Sequence, residues 1–521
     1  MSERSHDTVI IGGRLIDPDN GVDAELNVGV TGGKVSYLGE GLPAAEAVIE
    51  AHGKIVAPGF IDLHSHAQDI AGHRLQALDG VTTSLELEGG AAPVSASYQW
   101  SAAEGRPLNF GYSAGWLYSR AIVKEQLDDA AVAAMPSLPL DMFAAIQSGE
   151  HWGEPATSEE LEKIIALVEQ QLKAGAMGIG VLLGYAPRTG PEELHRLGEL
   201  AHRYQTPLFV HMRWGARVPG HTPVEAVTEL IELSRSTGAQ VHLCHFASSN
   251  ASSVTESSQK IAQAQAEGLP ISTESYPFGL ASTVIGAEFL APEALEATGT
   301  PANIITYLRT GEEISSYSRL GELRAQDPGG LCLIRYYDER EPAQLEELKA
   351  AVSLQGAAFA SDAMVVQSLN KDAEGAEADL SRWPLPAEGI TVHPRTTSCY
   401  VRALSWLHRD TSTLSLTNVI ERSSAVPARI LRGSVPAMQQ KGHLAVGADA
   451  DVVVFDLEKL QPNVSFVPVT PSRGIEHLLV AGQPVVADGQ LLPEQKPGRA
   501  IFAEEHLTEA VPTRCGRKDK Q

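Results

Sequence analysis

The chain has 521 residues and a formal net charge of −25 at pH 7; 43% of its residues are hydrophobic and 20% are charged. This length exceeds that of one small domain, and the composition is ordinary for a globular enzyme. The negative charge disfavours nucleic acid as a partner, and no apolar run reaches the roughly 18 residues of a membrane-spanning helix.

Both ends of the chain contain short β-rich runs separated by glycine turns. The predicted strands there are Thr8–Ile11, Leu26–Val30, Lys34–Leu38, Ala450–Phe455 and His477–Val480. Because such runs frame a long middle segment, we predict one small β-sandwich domain built from residues 1–57 and 430–503. Residues 504–521 are polar and are predicted to be a loosely held tail.

The middle of the chain alternates strand-like runs with amphipathic helices. The eight candidate strands are Phe60–Leu63, Thr82–Leu87, Asn109–Tyr112, Met177–Val181, Leu208–His211, Val241–His245, Leu269–Thr273 and Ala357–Asp362. A capping box at Thr157–Glu160 predicts a helix start, and Pro191–Tyr204 and Pro223–Ser236 are further predicted helices. This alternation predicts an α/β fold with a TIM (β/α)₈ barrel over residues 58–429, and a segment at about 280–350 predicts an insertion near the barrel mouth.

Residues that commonly bind metals stand at the ends of several predicted strands. They are His64, His66, His211, His245 and Asp362. Two residues at i and i+2 face the same side of a strand, and barrel active sites lie at the carboxyl ends of the strands, so we expect these side chains to converge on a cation. His242 is an alternative to His245, but it points to the other face and lies lower in the strand.

The second predicted barrel strand carries Glu86 and Glu88 on one face. Acidic side chains inside a barrel are costly unless a cation compensates for them. Glu88 lies nearer the strand end and is the preferred direct or bridging metal ligand, with Glu86 as the alternative.

These residues together resemble the amidohydrolase superfamily. The similarity includes Val56–His66, around the first two histidines, and Gly442–Phe455, which resembles the superfamily's return into its β domain. Within the superfamily the chain is similar to N-acyl-D-amino-acid deacylases, or D-aminoacylases, including those that act on N-acyl-D-glutamate. The motifs that carry this similarity are Gly80–Thr83, Gly184–Tyr185, His211–Arg213, Tyr276–Pro277, Ser361–Ala363, His393–Arg395 and Pro471–Gly474. The resemblance covers nearly the whole chain and implies a metal-dependent hydrolase of carbon–nitrogen bonds other than peptide bonds.

The chain departs from patterns of the superfamily at three positions. The better-known D-aminoacylases carry a cysteine ligand after strand two, where this chain has Glu88-Gly89-Gly90. They also carry a lysine two residues past the strand-six histidine, where this chain has Ala247. The predicted strand four contains no lysine, so a carbamylated-lysine bridge of the hydantoinase kind is not expected.

The resemblance implies one or two divalent metal ions and a metal-activated water. Histidine and carboxylate ligands suit Zn²⁺, with Mn²⁺, Co²⁺ and Fe²⁺ as alternatives. The more occupied site is expected at Glu88, His211 and His245, and a second, full or partial site at His64, His66 and Asp362. Asp362 is the expected general base, which takes a proton from the water and returns it to the leaving amine.

An N-acyl amino acid carries a carboxylate, so an anionic protein needs local cations to bind it. Arg395 is the leading candidate because arginine can grip a carboxylate bidentately. Arg213 shares a face with a ligand histidine, and Arg335 lies in the predicted insertion. Tyr185 and Tyr276 are candidates to bond the substrate carbonyl or carboxylate. Two converging arginines would fit N-acyl-D-glutamate.

Two other functions fit parts of the pattern. One is hydrolysis of a cyclic amide, as in dihydroorotases and hydantoinases. The other is a catalytically silent binding protein on the same fold. The expected partner is a small molecule with a carboxylate, with no nucleic acid or membrane partner, and the family favours a homo-oligomer. The four cysteines are scattered and no secretory signal is recognised, so the expected compartment is the cytoplasm.

Overall fold

The structure is a computed structural model, and it describes residues 5–127, 143, 146, 149, 151–215, 218, 220–369 and 379–503. The predicted tail over residues 504–521 lies outside the described residues. None of the described helices combines the length and the apolar character that crossing a bilayer requires.

Seven short strands precede the barrel. They are β1 (His6–Ile11), β2 (Arg14–Asp17), β3 (Val22–Glu25), β4 (Asn27–Thr31), β5 (Lys34–Gly39), β6 (Ala45–Glu50) and β7 (Ile55–Pro58). The three predicted N-terminal strands correspond to β1, β4 and β5. The other four are additional, and three of them have only four residues each.

Eight parallel strands form the barrel, and each overlaps one of the predicted strands. In sheet order they are β8 (Phe60–Asp62), β9 (Val81–Ala91), β10 (Asn109–Gly115), β11 (Ile179–Leu182), β12 (Leu208–His211), β13 (Val241–Leu243), β14 (Ile271–Ser275) and β19 (Ala358–Phe359). The first and last strands meet where Ser65 and Ala363 form a parallel bridge and His66 N donates to Ala363 O at 2.8 Å. The α/β barrel prediction is therefore confirmed.

Helices surround the barrel and connect its strands. They are α1 (Ile70–Ala77), α2 (Val94–Glu104), α3 (Trp116–Lys124), α4 (Ser158–Lys173), α5 (Pro191–Arg203), α6 (Pro223–Thr237), α7 (Phe246–Asn250), α8 (Val254–Ala266), α9 (Pro292–Ala297), α10 (Tyr317–Gln326), α11 (Pro342–Val352), α12 (Arg395–Arg402), α13 (Leu416–Ser423) and α14 (Ala425–Leu431). The predicted capping box is present at α4, because Glu160 N donates to Thr157 Oγ1 and Thr157 N donates to Glu160 Oε2.

The predicted insertion is a small antiparallel sheet between β14 and α11, with α9 and α10 beside it. Its strands are β15 (Leu280–Val284), β16 (Ile305–Tyr307), β17 (Glu312–Glu313) and β18 (Leu331–Arg335), in the order β15-β18-β16-β17. Residues of β15 and β18 line the cavity at the carboxyl ends of the barrel strands. The insertion therefore covers part of the barrel mouth.

Six more strands complete the described chain. They are β20 (Gln367–Ser368), β21 (Ile390–Thr391), β22 (Val452–Phe455), β23 (Ile475–Val480), β24 (Gln483–Ala487) and β25 (Gln490–Leu491). The last four join a seven-stranded sheet in the order β25-β24-β23-β22-β7-β2-β3, and a second sheet has the order β5-β4-β1-β6. Both sheets combine their inner faces in one apolar core, as a sandwich requires. The division into domains at residues 57 and 430 stays a prediction.

β22 is buried on both faces because it lies between two cores. Val452 and Val454 pack in the core between the two terminal sheets. Val453 and Phe455 point the other way and belong to the core that includes Phe60 of the barrel. Successive side chains of a strand alternate between its faces, which explains why four consecutive apolar residues occur here.

Candidate metal centre

Six side chains singled out in the sequence meet at the carboxyl ends of the barrel strands. His64 and His66 follow β8, Glu88 lies in β9, His211 ends β12, His245 follows β13 and Asp362 follows β19. Four of them are buried, and two are half-buried: His66 keeps 16% of its side chain exposed and His211 keeps 17%. Their ligand atoms fall into two groups.

The first group contains His64, His66 and Asp362. His64 Nε2 lies 3.2 Å from His66 Nε2. Asp362 Oδ1 lies 3.5 Å from His64 Nε2 and 3.6 Å from His66 Nε2. Two ring nitrogens and one carboxylate oxygen thus surround a common point.

The second group contains Glu88, His211 and His245. Glu88 Oε1 lies 2.8 Å from His245 Nε2 and 3.2 Å from His211 Nδ1. The two ring nitrogens are 3.0 Å apart. This group also consists of two imidazoles and one carboxylate oxygen.

Glu88 connects the two groups. Its Oε1 belongs to the second group, while its Oε2 lies 3.1 Å from His64 Nε2 and 3.6 Å from His66 Nε2. Burial by itself would raise the pKa of Glu88, but His64 and His245 reverse this effect and hold that pKa well below its usual range. An ionised carboxylate at this position is suited to bridge two cations.

Outer hydrogen bonds fix the orientation of the histidines in the first group. His64 Nδ1 donates to Glu274 Oε1 at 2.6 Å, and His66 Nδ1 donates to Glu86 Oε2 at 2.7 Å. In the neutral rings the Nε2 atoms therefore carry lone pairs directed at the common point. Such carboxylate–histidine pairs are typical of the surroundings of protein metal ions, so the donor set fits a divalent cation.

Glu86 and His242 were the alternatives to Glu88 and His245 as candidate metal ligands, and their contacts differ. Glu86 contacts the outer nitrogen of His66 and accepts from Gly89 N at 3.0 Å, so it supports a ligand histidine from outside. His242 donates from Nε2 to Glu274 at 3.0 Å, below the two groups. Glu88 and His245 are the residues that face the candidate metal positions.

Two of the clustered residues have left-handed backbone conformations. The φ angle is +32° at His245 and +50° at Asp362. Residues other than glycine rarely adopt this region, and such strain is concentrated at functional sites. In both cases the turn occurs where a barrel strand ends and directs the side chain into the cluster.

Arg395 and two tyrosines lie beside the cluster. Arg395 is fully buried, and its Nη2 pairs with Asp362 Oδ1 at 2.7 Å while its guanidinium lies 4.7 Å from the Tyr276 ring centre. Its Nε and Nη1 have no hydrogen-bond partner among the described residues. Tyr276 donates to Ser248 Oγ, and the Tyr185 ring lies 4.9 Å from that of His211.

The other two candidate arginines are engaged by the protein. Arg213 lines the cavity, but it donates to the Glu229 carboxylate and to the carbonyl oxygens of Pro187 and Thr189. Arg335 pairs with Glu313 at 3.1 Å. Its neighbours Ile334 and Tyr336 line the cavity and Arg335 does not, as the alternation of a strand requires. Of the three candidate arginines, Arg395 is therefore the one that the structure pairs with a residue of the cluster.

Sequence analysis missed two residues of this region, Glu274 and Ser282. Glu274 lies in β14 and directly follows the predicted strand Leu269–Thr273. A predicted strand that was one residue longer would have ended at Glu274, and this residue would then have been recognised as a polar residue at a strand end. Ser282 lies in the insertion and lines the cavity, and its buried Oγ has no hydrogen-bond partner among the described residues. No sequence pattern pointed to Ser282.

Comparisons with known proteins agree with this geometry. A family profile described as "Amidohydrolase family" matches residues 47–290. An N-acyl-D-glutamate deacylase of Alcaligenes xylosoxydans xylosoxydans is 27% identical over 513 residues, which cover 95% of this chain and 96% of that protein. A dihydroorotase of Solibacter usitatus is 27% identical over 298 residues, which cover 52% of this chain and 61% of that protein.

The fold also matches a solved structure along its length. An N-acyl-D-glutamate deacylase from Bordetella bronchiseptica, crystallised with zinc and a phosphonate inhibitor, superposes with a TM-score of 0.71 at 23% identity and covers 96% of this chain and 100% of its own. The chain thus resembles the N-acyl-D-amino-acid deacylases, and it is a metal-dependent hydrolase of carbon–nitrogen bonds other than peptide bonds.

Proposed function

We propose that the protein deacylates N-acyl-D-amino acids: water adds to the amide carbonyl, the carbon–nitrogen bond breaks, and a carboxylic acid and a free amino acid leave. The observation that carries this proposal is the position of Glu88 between two histidine pairs, with Asp362 beside one pair. A cluster of this composition, at the carboxyl ends of barrel strands, suits attack of an activated water on a carbonyl.

The two groups would hold one or two divalent ions. Glu88, His211 and His245 would bind one ion; His64, His66 and Asp362 would bind a second, with Glu88 as the bridge. Zn²⁺ is the proposed metal, because imidazole and carboxylate are its usual ligands and because the Bordetella relative was crystallised with zinc. When bound, such an ion lowers the pKa of its water from about 15.7 toward about 7 and polarises a carbonyl.

Asp362 is the proposed general base and acid. It would take the proton from the attacking water and deliver it to the departing amine nitrogen. Arg395 Nη2, at 2.7 Å, holds Asp362 Oδ1 in a fixed position. The left-handed turn at Asp362 directs the same carboxylate toward His64 and His66.

The substrate carboxylate would bind near Arg395 and Ser282. Arg395 Nη2 donates to Ser282 O at 3.4 Å, and Ser282 is one of the residues that line the cavity. Tyr185 and Tyr276 also line the cavity and would donate to the substrate carbonyl or carboxylate. Arg395 also pairs with a protein carboxylate, but its Nε and Nη1 have no hydrogen-bond partner among the described residues. Arg213 is engaged by Glu229 and two backbone carbonyls, and Arg335 pairs with Glu313 outside the cavity lining, so both are weaker candidates for this role.

Hydrolysis of a cyclic amide is the second candidate function, and the dihydroorotase similarity favours it to a lesser degree. That similarity covers about half of this chain, whereas the deacylase similarity covers 95%. β11 is Ile179-Gly180-Val181-Leu182 and has no lysine that could become a carbamylated bridge. Glu88 would take the bridging role instead.

A substrate panel tests the proposal. The metal-loaded protein is given N-acetyl-D-leucine, N-acetyl-D-glutamate, their L-enantiomers and dihydroorotate, and free amine and ring opening are measured. We expect release of free D-amino acid and no ring opening. The Asp362→Asn variant is expected to lose at least about a hundredfold in kcat, in line with typical general-base contributions. Ring opening without deacylation would exclude the proposed function.

The cytoplasm is the proposed compartment. The described cysteines Cys244, Cys332 and Cys399 are buried and form no disulfide. Unpaired cysteines are typical of proteins kept in a reducing environment.

A further inference from the structure

We propose that His242 is a positioning residue for the candidate metal centre, and that it acts on His64 through Glu274. The inference rests on the metal centre of the proposed function and adds two residues that do not face the candidate metal positions. His242 is fully buried, and Glu274 is 1% exposed. We call Ser272, His242, Glu274 and His64 the polar column, because hydrogen bonds join them in this order inside the barrel.

Each contact in the polar column has the distance of a hydrogen bond. Ser272 Oγ lies 2.8 Å from His242 Nδ1, and His242 Nε2 lies 3.0 Å from Glu274 Oε2. Glu274 Oε1 lies 2.6 Å from His64 Nδ1. An ionised carboxylate only accepts hydrogen bonds, so both rings donate a ring N–H to Glu274. In a neutral His242, Nδ1 then accepts from the Ser272 hydroxyl, and the orientation of each member follows from its neighbour.

The register of two neighbouring barrel strands builds the polar column. Ser272 and Glu274 are two residues apart in β14, so their side chains share one face. His242 of β13 is paired in register with Ser272. Its ring extends from the level of Ser272 toward that of Glu274 and contacts both. His64, beyond the end of β8, receives the last contact at the carboxyl ends of the strands.

The polar column lies beside an apolar core in the barrel interior. That core includes Ile61, Leu63, Leu85, Leu87, Met177 and Phe209. The Phe209 ring centre lies 5.3 Å from that of His242. Barrel interiors are normally filled by branched apolar side chains, and a buried carboxylate costs free energy that apolar residues of similar size would avoid. Barrel stability alone therefore does not explain the polar column, whereas support of His64 does.

The orientation of His64 matters because this residue contacts both halves of the cluster. Its Nε2 lies 3.2 Å from His66 Nε2 and 3.1 Å from Glu88 Oε2. A flip of the ring would direct a carbon atom to this point instead of the nitrogen. The hydrogen bond to Glu274 opposes such a flip, and His242 holds the other oxygen of the same carboxylate. Loss of such outer contacts typically lowers metal affinity or activity by about 10- to 100-fold.

Two substitutions of His242 separate its hydrogen bond from its volume. His242→Phe keeps a ring of similar size but removes both ring nitrogens, whereas His242→Gln still offers an N–H to Glu274. Titration with Co²⁺ is followed by visible absorption, and Zn²⁺ affinity is measured by competition with a chelator. We expect His242→Phe to weaken binding of one ion by about 10- to 100-fold and to change the Co²⁺ spectrum. His242→Gln should recover most of this loss.

Met177→Ala is the matched control for a loss of packing inside the barrel. Met177 is fully buried in the same apolar core, and it precedes β11, which carries none of the six clustered residues. The variant leaves a cavity and lowers stability without removing a hydrogen bond of the polar column. We expect its Co²⁺ spectrum and Zn²⁺ affinity to match those of the parent protein. If Met177→Ala and His242→Phe lose metal to the same extent, His242 acts only through packing and the inference is wrong.

Ser272 tests the order of the contacts. It is half-buried and lies at the end of the polar column farthest from the candidate metal positions. We expect Ser272→Ala to weaken metal binding by a smaller factor than His242→Phe, because His242 keeps its bond to Glu274. In the double variant, Ser272→Ala should add nothing to His242→Phe, since its effect passes through the imidazole. Additive losses would contradict the proposed order.

The metal measurements do not depend on turnover, so they separate this inference from the proposed function. If the parent protein deacylates N-acetyl-D-amino acids and His242→Phe keeps the parent's metal affinity and Co²⁺ spectrum, the inference is wrong and the proposed function stands. If the parent protein hydrolyses no N-acyl-D-amino acid and His242→Phe loses metal as expected, the proposed function fails and the positioning role of His242 stands.

Discussion

At the scale of single residues, the two glutamates of β9 divide two tasks between them. Glu88 turns both carboxylate oxygens toward ring nitrogens of the cluster, while Glu86 accepts a hydrogen bond from the outer nitrogen of His66. Both side chains lie on one face of the strand, but they differ by two residues in depth. The difference in depth decides which carboxylate can reach a cation and which can orient a ligand.

Through its hydrogen bond with His66, Glu86 affects how many protons are released when a metal binds. Burial lowers the pKa of His66, but Glu86 more than compensates and raises it to about 10. In the metal-free protein His66 is therefore protonated at pH 7, and a cation that binds at Nε2 must displace a proton. We expect metal affinity to increase between pH 7 and pH 9, by up to about tenfold per pH unit for each proton displaced.

Glu86→Gln should lower the pKa of His66 toward its ordinary value. Metal binding to the variant should then release about one proton fewer than metal binding to the parent protein. The measurement is calorimetry of metal binding in buffers of different ionisation enthalpy, which counts released protons. The prediction compares the variant with the parent at the same pH. Equal proton release from both proteins would show that Glu86 does not control His66.

At the scale of elements, the turn that follows β11 packs against His211, one of the proposed metal ligands. A Cβ atom on Gly184 would lie 2.4 Å from His211 Cδ2 and 2.6 Å from His211 Nε2. The glycine therefore lets the short helical turn at Leu183–Tyr185 approach the end of β12. The position of Tyr185 over the His211 ring follows from the same close approach.

Gly184→Ala is expected to displace His211 and to weaken metal binding at the second group by about 10- to 100-fold, as loss of a ligand's support typically does. Metal affinity is measured by competition with a chelator. Gly190→Ala is the matched control, since a Cβ there meets no atom within 4 Å. Comparable loss of metal in both variants would refute this explanation.

The barrel strands could be predicted because each is an apolar run that ends in a polar residue. The four unpredicted N-terminal strands are harder to recognise; β3, for example, is Val22-Asp23-Ala24-Glu25, and its apolar face has only Val22 and the exposed Ala24. Local sequence does not identify such an edge strand, because its partner β2 supplies the hydrogen bonds. The candidate ligand residues could be proposed because they stand at strand ends, but their division into two groups depends on side-chain directions that the sequence does not contain.

The arginines show the same limit. Sequence placed Arg213 on the face of a ligand histidine, and the structure does place it at the cavity. Arg213 nevertheless forms an ion pair with Glu229 of α6. No pattern in the sequence identifies Glu229 as its partner. Which carboxylate pairs with a given arginine is a property of tertiary packing.

At the scale of the whole molecule, a buried charge network joins the barrel to the terminal sheets. Lys441 Nζ pairs with Asp451 Oδ2 at 2.6 Å and with Asp449 Oδ2 at 2.9 Å. Asp451 Oδ2 also accepts from Asn109 Nδ2 of β10 at 3.0 Å. The single Lys441 ammonium pairs with two carboxylates at the junction of two cores.

Lys441→Met is expected to destabilise the protein by about 3–5 kcal/mol, because the variant leaves carboxylates buried without their cation. The free energy of unfolding is measured by urea titration. Lys163→Met is the control; Lys163 forms an exposed pair with Glu159, whose loss should cost less than about 1 kcal/mol. Equal stability of the two variants would contradict a structural role for the network.

The pairing of β7 with β22 has a consequence for biosynthesis. Val56 lies opposite Val454, so roughly 390 residues must be made after β7 before its neighbour exists. At about 5–20 residues per second this interval is on the order of 20–80 s. During that time the ribosome-bound chain exposes an unsatisfied strand edge and an apolar face. Nascent chains of this protein should therefore depend on chaperones that shield such edges until the last strands emerge.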